Sequence, residues 1–102
     1  MNDDLDLKNV SRALSSDTRL NILKILVNND LASIEVYNKY VEKFGGKKHR
    51  ETIYRALETL LSAGILEKKY SNEKKNIVYY IKYNQFIIEL INQKVKTKII
   101  LR

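Results

Sequence analysis

The run Thr52-Ile53-Tyr54-Arg55-Ala56-Leu57-Glu58-Thr59-Leu60-Leu61-Ser62-Ala63-Gly64-Ile65-Leu66 decides how this chain folds. Ile53, Ala56, Leu57, Leu60 and Leu61 recur at the spacing of one helix face. With Ile53 at 0° and about 100° per residue, Ala56, Leu57 and Leu60 fall within about 60° of it, and Glu51 and Arg55 stand at about 160° and 200°. Thr52 and Tyr54 flank that outer face at about 260° and 100°. A helix over about 49–63 therefore buries one side and offers Arg55 on the other. Gly64 is placed as its C′ glycine. The period then changes. Residues 65–70 and 77–83 are rich in β-branched and aromatic side chains, as strands prefer, and the polar run 71–76 between them reads as a hairpin loop.

Moving outward, Ser33–Phe44 predicts a helix with Ser33 as N-cap and Glu35 in its first turn. Its apolar stripe is Ile34, Tyr37, Val41 and Phe44, and Gly45-Gly46 supplies left-handed backbone to close it. Thr18 to about Val27 predicts a helix started by Ser16 or Asp17 and buried on most sides, because only Asn21 and Lys24 break its apolar run from Leu20. Leu7, Val10 and Leu14 mark a first helix. From Asn84 the helical period returns, with Ile87, Ile88, Ile91 and Val95 on one side of a final helix over about 84–100. The expected order is α-α-α-α-β-β-α: a mainly α protein with a small β-hairpin, arranged as a winged helix-turn-helix. A length of 102 residues, without repeat or low-complexity linker, fits one domain over 1–102.

Charge is concentrated on that framework. The net charge is +7. Residues 43–55 carry +4, residues 67–75 carry +2 and residues 94–102 carry +4, so the remainder is −3. A basic entrance to the fourth helix and a basic hairpin fit a duplex: the second helix of such a pair enters the major groove, and surrounding cations neutralise phosphates. Other classes fall away. Without cysteine there is no disulfide, iron–sulfur or thiolate zinc site, and with His49 alone there is no multi-histidine cage, so neither metal nor cofactor is expected. No catalytic constellation appears, and Gly45-Gly46 before Lys47-Lys48 lacks the P-loop spacing, so the chain does not read as an enzyme. No apolar run approaches the roughly 20 residues of a membrane span. Met1–Asp6 is acidic, unlike the basic start of a signal peptide. The expectation is a cytoplasmic protein without membrane contact.

Ala13-Leu14-Ser15-Ser16-Asp17-Thr18-Arg19-Leu20-Asn21-Ile22-Leu23 resembles the opening of arsenic-repressor (ArsR) type winged-helix regulators, with Asp17 where proline is common. Thr52–Leu66 is similar to the recognition helix and first wing strand of winged-helix regulators broadly, including PadR-like and small archaeal and viral ones. Residues 44–49 are longer than a tight helix-turn-helix turn, as in PadR-like turns. The resemblance implies a homodimeric transcription regulator that lacks the family's metal-sensing cysteines and pairs through terminal helices. The Ile-, Lys- and Tyr-rich composition resembles proteins of hot-living or AT-rich organisms, archaeal viruses among them, which would make the compartment the host cytoplasm.

The candidate contacts to double-stranded DNA are Lys47, Lys48, His49, Arg50, Thr52, Tyr54 and Arg55 at the recognition helix, and Lys68, Lys69, Lys74 and Lys75 on the wing (about 65–83). Several have a plainer reading. Arg55 can pair with Glu51 or Glu58 on its own helix. His49 is a helix-start residue rather than a ligand. The lysines can be a solvated hairpin surface. Tyr70, Tyr79, Tyr80 and Tyr83 read as cross-strand packing rather than base stacking. The plainer reading of Ile87, Ile88, Ile91 and Val95 is a cap on the core of their own chain; the expected one is a dimer interface, a two-fold pairing that matches a palindromic site. The leading expectation is a sequence-specific regulator that binds as a homodimer. The alternatives are a winged-helix protein–protein adaptor and a non-specific architectural DNA binder.

Overall fold

The computed structural model describes residues 5–99. A short strand β1 (Leu5–Asp6) leads into helix α1 (Leu7–Leu14). Helices α2 (Asp17–Leu26), α3 (Ser33–Phe44) and α4 (Arg50–Ser62) follow. The chain then forms β2 (Leu66–Ser71), β3 (Asn76–Ile81), β4 (Gln85–Glu89) and β5 (Lys94–Lys98).

Local chemistry sets the helix ends. The Asp6 carboxylate accepts the Asn9 N–H at the start of α1 (3.1 Å), and Ser16 Oγ accepts the Arg19 N–H at the start of α2 (3.3 Å). Arg19 also reaches back: its Nε and Nη2 donate to the carbonyls of Ala13 (2.7 Å) and Arg12 (3.0 Å), covering the acceptors that α1 leaves open. Helix α3 spans the expected residues, Ser33–Phe44, but is capped differently. Its N-cap is Ala32, not Ser33, and Glu35 Oε1 accepts the Ala32 N–H from the first turn (2.9 Å). Helix α4 closes on Gly64 (φ +82°). The Gly64 N–H donates to the Leu61 carbonyl and the Ile65 N–H to the Leu60 carbonyl, both at 3.0 Å, the two bonds of a Schellman ending.

Ile22, Leu26, Val36, Ile53, Leu57, Leu60 and Leu66 lie fully inside one core. Helix α4 buries the expected face. The face of α3 differs: Val36 and Tyr40 are buried, whereas Ile34 and Val41 of the expected stripe are exposed and Tyr37 and Phe44 are half-buried. The cause is the entry of the helix. Leu31 pairs with Tyr79 through two backbone hydrogen bonds (3.1 and 2.8 Å), which fixes the chain just before α3 and turns Val36 inward. Helix α2 is also less enclosed than expected, with Ile22, Ile25 and Leu26 buried but Leu20 and Val27 exposed.

Strands β2 and β3 form the expected antiparallel hairpin, from Leu66↔Ile81 to Ser71↔Asn76. Beyond residue 83 the chain departs from the expected helix. Residues 85–98 are not a helix. They form the β4–β5 hairpin, and β1 pairs along β5, giving a three-stranded sheet in the order β1-β5-β4. Phe86, Ile87, Ile88, Val95 and Thr97 are strand formers, and Lys94 to Lys98 alternates lysine with the β-branched Val95 and Thr97, a period of two that a strand uses and a helix does not. The architecture is therefore four helices followed by antiparallel strands, with a second small sheet in place of the terminal helix. Val95 faces Leu5 and Ile88, and no part of it is exposed. It belongs to the core of its own chain and, contrary to expectation, is not available to a dimer interface. Ile87, Ile88 and Ile91 remain on the surface. Ile100, at the end of the expected helix, and Arg102, part of the basic tail, lie outside the described residues.

Candidate nucleic-acid interface

Because Ile53, Ala56, Leu57 and Leu60 are drawn inward, α4 presents Glu51, Thr52, Tyr54 and Arg55 to solvent. Arg55 Nη2 bonds Glu51 Oε1 at 2.6 Å, the plainer pairing that the sequence allows. Both side chains are about three-quarters exposed (76% and 70%), so the pair is worth a few tenths of a kcal/mol, roughly, and yields readily to a phosphate or a base edge. The Arg50 guanidinium lies 5.9 Å from the Tyr37 ring centroid. Together with Ser33, Ile34, Glu51 and Tyr54, these two line a groove between α3 and α4. The turn before α4 is open. Lys47, Lys48 and His49 are exposed, and His49 is the N-cap without a side-chain capping bond. Among the described residues neither Lys47 nor Lys48 has an ion-pair partner. The structure thus brings Lys47 through Arg55 together around one end of α4.

Three of the four wing lysines are engaged within the chain. Lys68 pairs with Glu58 of α4 (3.6 Å). Lys69 pairs with Asp30 (3.1 Å) and stands 4.5 Å over the Tyr80 ring. Lys74 donates to the Asp30 carbonyl (2.8 Å) and to both Glu35 oxygens (3.0 and 3.2 Å), tying the hairpin tip to the start of α3. Only Lys75, held at φ +52° in the turn, is an exposed wing lysine without an ion pair among the described residues. The plainer reading thus fits the structural environment of Lys68, Lys69 and Lys74. The acidic partners Asp30, Glu35 and Glu58 were not legible as such, because they come from elements distant in sequence.

The tyrosines also serve structure. Tyr79 is buried and its hydroxyl donates to Glu58 Oε2. Burial, and then the bond to Glu58, push that hydroxyl well above the ordinary tyrosine range. Tyr80 OH donates to Glu67 Oε2 (3.0 Å) and is raised by burial and by that carboxylate. Lys82 shares Glu67 (3.5 Å), and the carboxylate raises its pKa in turn. Tyr83 is buried, and Tyr70 is exposed. Among the described residues, no helix is long and apolar enough to cross a membrane.

No family model matches the chain, and no curated protein matches it. Solved structures do. A zinc-bound manganese uptake regulator is similar with a TM-score of 0.62 and 20% identity, over 91% of this chain and 76% of that one. The Vibrio cholerae ferric uptake regulator, whose crystal structure shows rearranged DNA-binding domains, gives 0.58 and 19%, over 89% and 75%. The Pseudomonas aeruginosa ferric uptake regulator with manganese gives 0.58 and 17%, over 91% and 75%. At these identities the likeness is one of fold: a small unit of four helices and antiparallel strands. The ArsR-type assignment read from Ala13–Leu23 is not supported by it. The zinc and manganese belong to those proteins. Among the described residues of this chain no three His, Cys, Asp or Glu side chains come together, and Asp30, Glu35, Glu58 and Glu67 are engaged by lysines and tyrosines.

Proposed function

We propose that this chain is a double-stranded DNA-binding regulator of transcription, built as a winged helix-turn-helix that acts as a homodimer. Helix α4 enters the major groove by its N-terminal half, and the wing lies on flanking backbone. One observation carries the reading: the exposed face of α4 with Thr52, Tyr54 and Arg55, preceded by Lys47 and Lys48, which have no ion-pair partner among the described residues. Arg55 and Thr52 reach base edges or phosphate, Tyr54 offers its hydroxyl to the backbone, and Lys47, Lys48, His49 and Arg50 follow the phosphates. On the wing, Lys75 is the residue best placed to add a phosphate contact, because Lys68, Lys69 and Lys74 already have partners. The fold likeness to ferric and manganese uptake regulators supports the same reading.

Selection of binding sites from random duplex DNA tests it. A preferred site is expected, and Arg55→Ala should cost about 1–3 kcal/mol on that site and relax base choice there. A variant with unaltered preference removes Arg55 from base readout. Equal affinity for all sequences points to an architectural binder. No duplex affinity even at low salt points to an adaptor for an acidic protein.

A further inference from the structure

Strand β4 is an edge. In the sheet order β1-β5-β4, one of its sides carries main-chain N–H and C=O groups with no strand against them. Proteins ordinarily blunt such an edge with lysine or proline, but β4 has neither, and its one charge is Glu89. Apolar side chains gather there instead. Ile87 and Ile88 are each 52% exposed, and Leu90 and Ile91 in the following turn are 77% and 94% exposed. A second feature lies beside it: a mostly apolar cleft of about 690 Å³ between the end of α2 and the segment that runs from the end of β3 into β4, bordered by Leu23, Val27, Ile81, Tyr83 and Phe86 with charged residues, Lys82 among them, in its lining.

We propose that these two features answer each other across a two-fold axis. Strand β4 pairs antiparallel with β4 of a second copy of this chain, centred on Ile87, and the Leu90–Ile91 turn of each copy seats in the cleft of the other. The register is self-complementary. Gln85 faces Glu89 of the second copy, amide against carboxylate. Phe86 faces Ile88, on the side of the sheet that Val95 shares. No like charges meet. Moving the axis one residue either way sets Ile87 against Gln85 or against Glu89. Ile91 and Tyr83 each lie four residues from Ile87, so each turn meets the segment that borders the other copy's cleft. The turn is needed, because a pairing of two five-residue strands covers only part of the ~1,200 Å² that a stable interface buries. The inference deepens the homodimeric part of the proposed function and replaces the helix pairing expected from the sequence.

The oligomeric state of the full chain tests it, by light scattering and sedimentation over a concentration series without DNA. The wild-type chain is expected to be a dimer. Ile87→Glu sets two carboxylates on the axis and should convert it to monomer, and Ile91→Asp should weaken it independently. Both positions are exposed, so circular dichroism and melting of the monomer should be unchanged. The chain has no cysteine. Ile87→Cys should therefore give a disulfide-linked dimer on mild oxidation, Gln85→Cys and Glu89→Cys alone should not, and their mixture should. A wild-type monomer, a dimer untouched by Ile87→Glu, or failure of the Ile87→Cys link overturns the proposal, and an Ile91→Asp dimer of wild-type strength overturns the seating of the turn. Duplex titration is read separately: a dimer without duplex affinity defeats the DNA reading alone, and a monomer that selects a site defeats this interface alone.

Discussion

Glu35 joins two functions at one side chain. Its carboxylate accepts the Ala32 N–H at the start of α3 and the Lys74 ammonium from the hairpin tip. The backbone bond first, and then Lys74, hold its carboxyl below the ordinary carboxylate range, with burial opposing them. A carboxyl whose folded pKa is depressed contributes stability above its unfolded value and loses it as pH falls through the folded one. Glu35→Gln keeps an acceptor but removes the charge. It should cost about 1 kcal/mol or less at neutral pH, given the exposure of the pair, and should lose less stability than the wild type on going below pH 4.5. Urea unfolding at both pH values checks this; parallel losses would exclude the assignment. Nothing in the sequence announces this pairing, because Lys74 is 39 residues away. Arg19 shows the same limit. It stands out in the Ala13–Leu23 motif, yet its work of closing α1 depends on a turn geometry that spacing alone does not reveal.

At the scale of elements, legibility followed period and ending. Helix α4 was readable because its apolar spacing and its glycine agree. The 84–99 region was not, because Ile87, Ile88, Ile91 and Val95 satisfy a helical stripe, while the alternation of Lys94 to Lys98 and the Asn92-Gln93 turn (Gln93 at φ +53°) carry the strand signal. The glycine that closes α4 also receives β1. A Cβ on Gly64 would lie 2.6 Å from Leu5 Cδ2, and its φ of +82° is in the region that L side chains avoid. Gly64→Ala is therefore expected to destabilise the fold by about 1–3 kcal/mol, combining backbone strain with displacement of Leu5 from beside Val95. Thermal melting measures the loss. Because Leu5 is the flexible part, Leu5→Ala in the same chain should relieve the steric share and leave the backbone share, so that the double variant loses less than the sum of the two single ones.

Over the whole molecule, the net +7 divides into cations the fold uses and cations it leaves free. Lys68, Lys69, Lys74, Lys82 and Lys96 each have a carboxylate within 3.6 Å. Lys47, Lys48 and Lys75 have none among the described residues. Charge counted by segment puts a basic stretch at the start of α4, but it could not separate these two populations on the β2–β3 hairpin, since that depends on which carboxylates folding brings near. Salt dependence separates them. Each phosphate neutralised contributes about 0.9 to the slope of log affinity against log salt. Lys47→Ala with Lys48→Ala should lower that slope by about two and leave melting nearly unchanged. Lys75→Ala alone should lower it by about one. Lys68→Ala with Lys69→Ala should do the reverse, lowering the melting temperature by about 2–6 °C and leaving the slope close to that of the wild type. If the Lys68 and Lys69 pair changes the slope as much as the Lys47 and Lys48 pair does, their bonds to Glu58 and Asp30 open on the duplex, and the whole hairpin belongs to the contact surface.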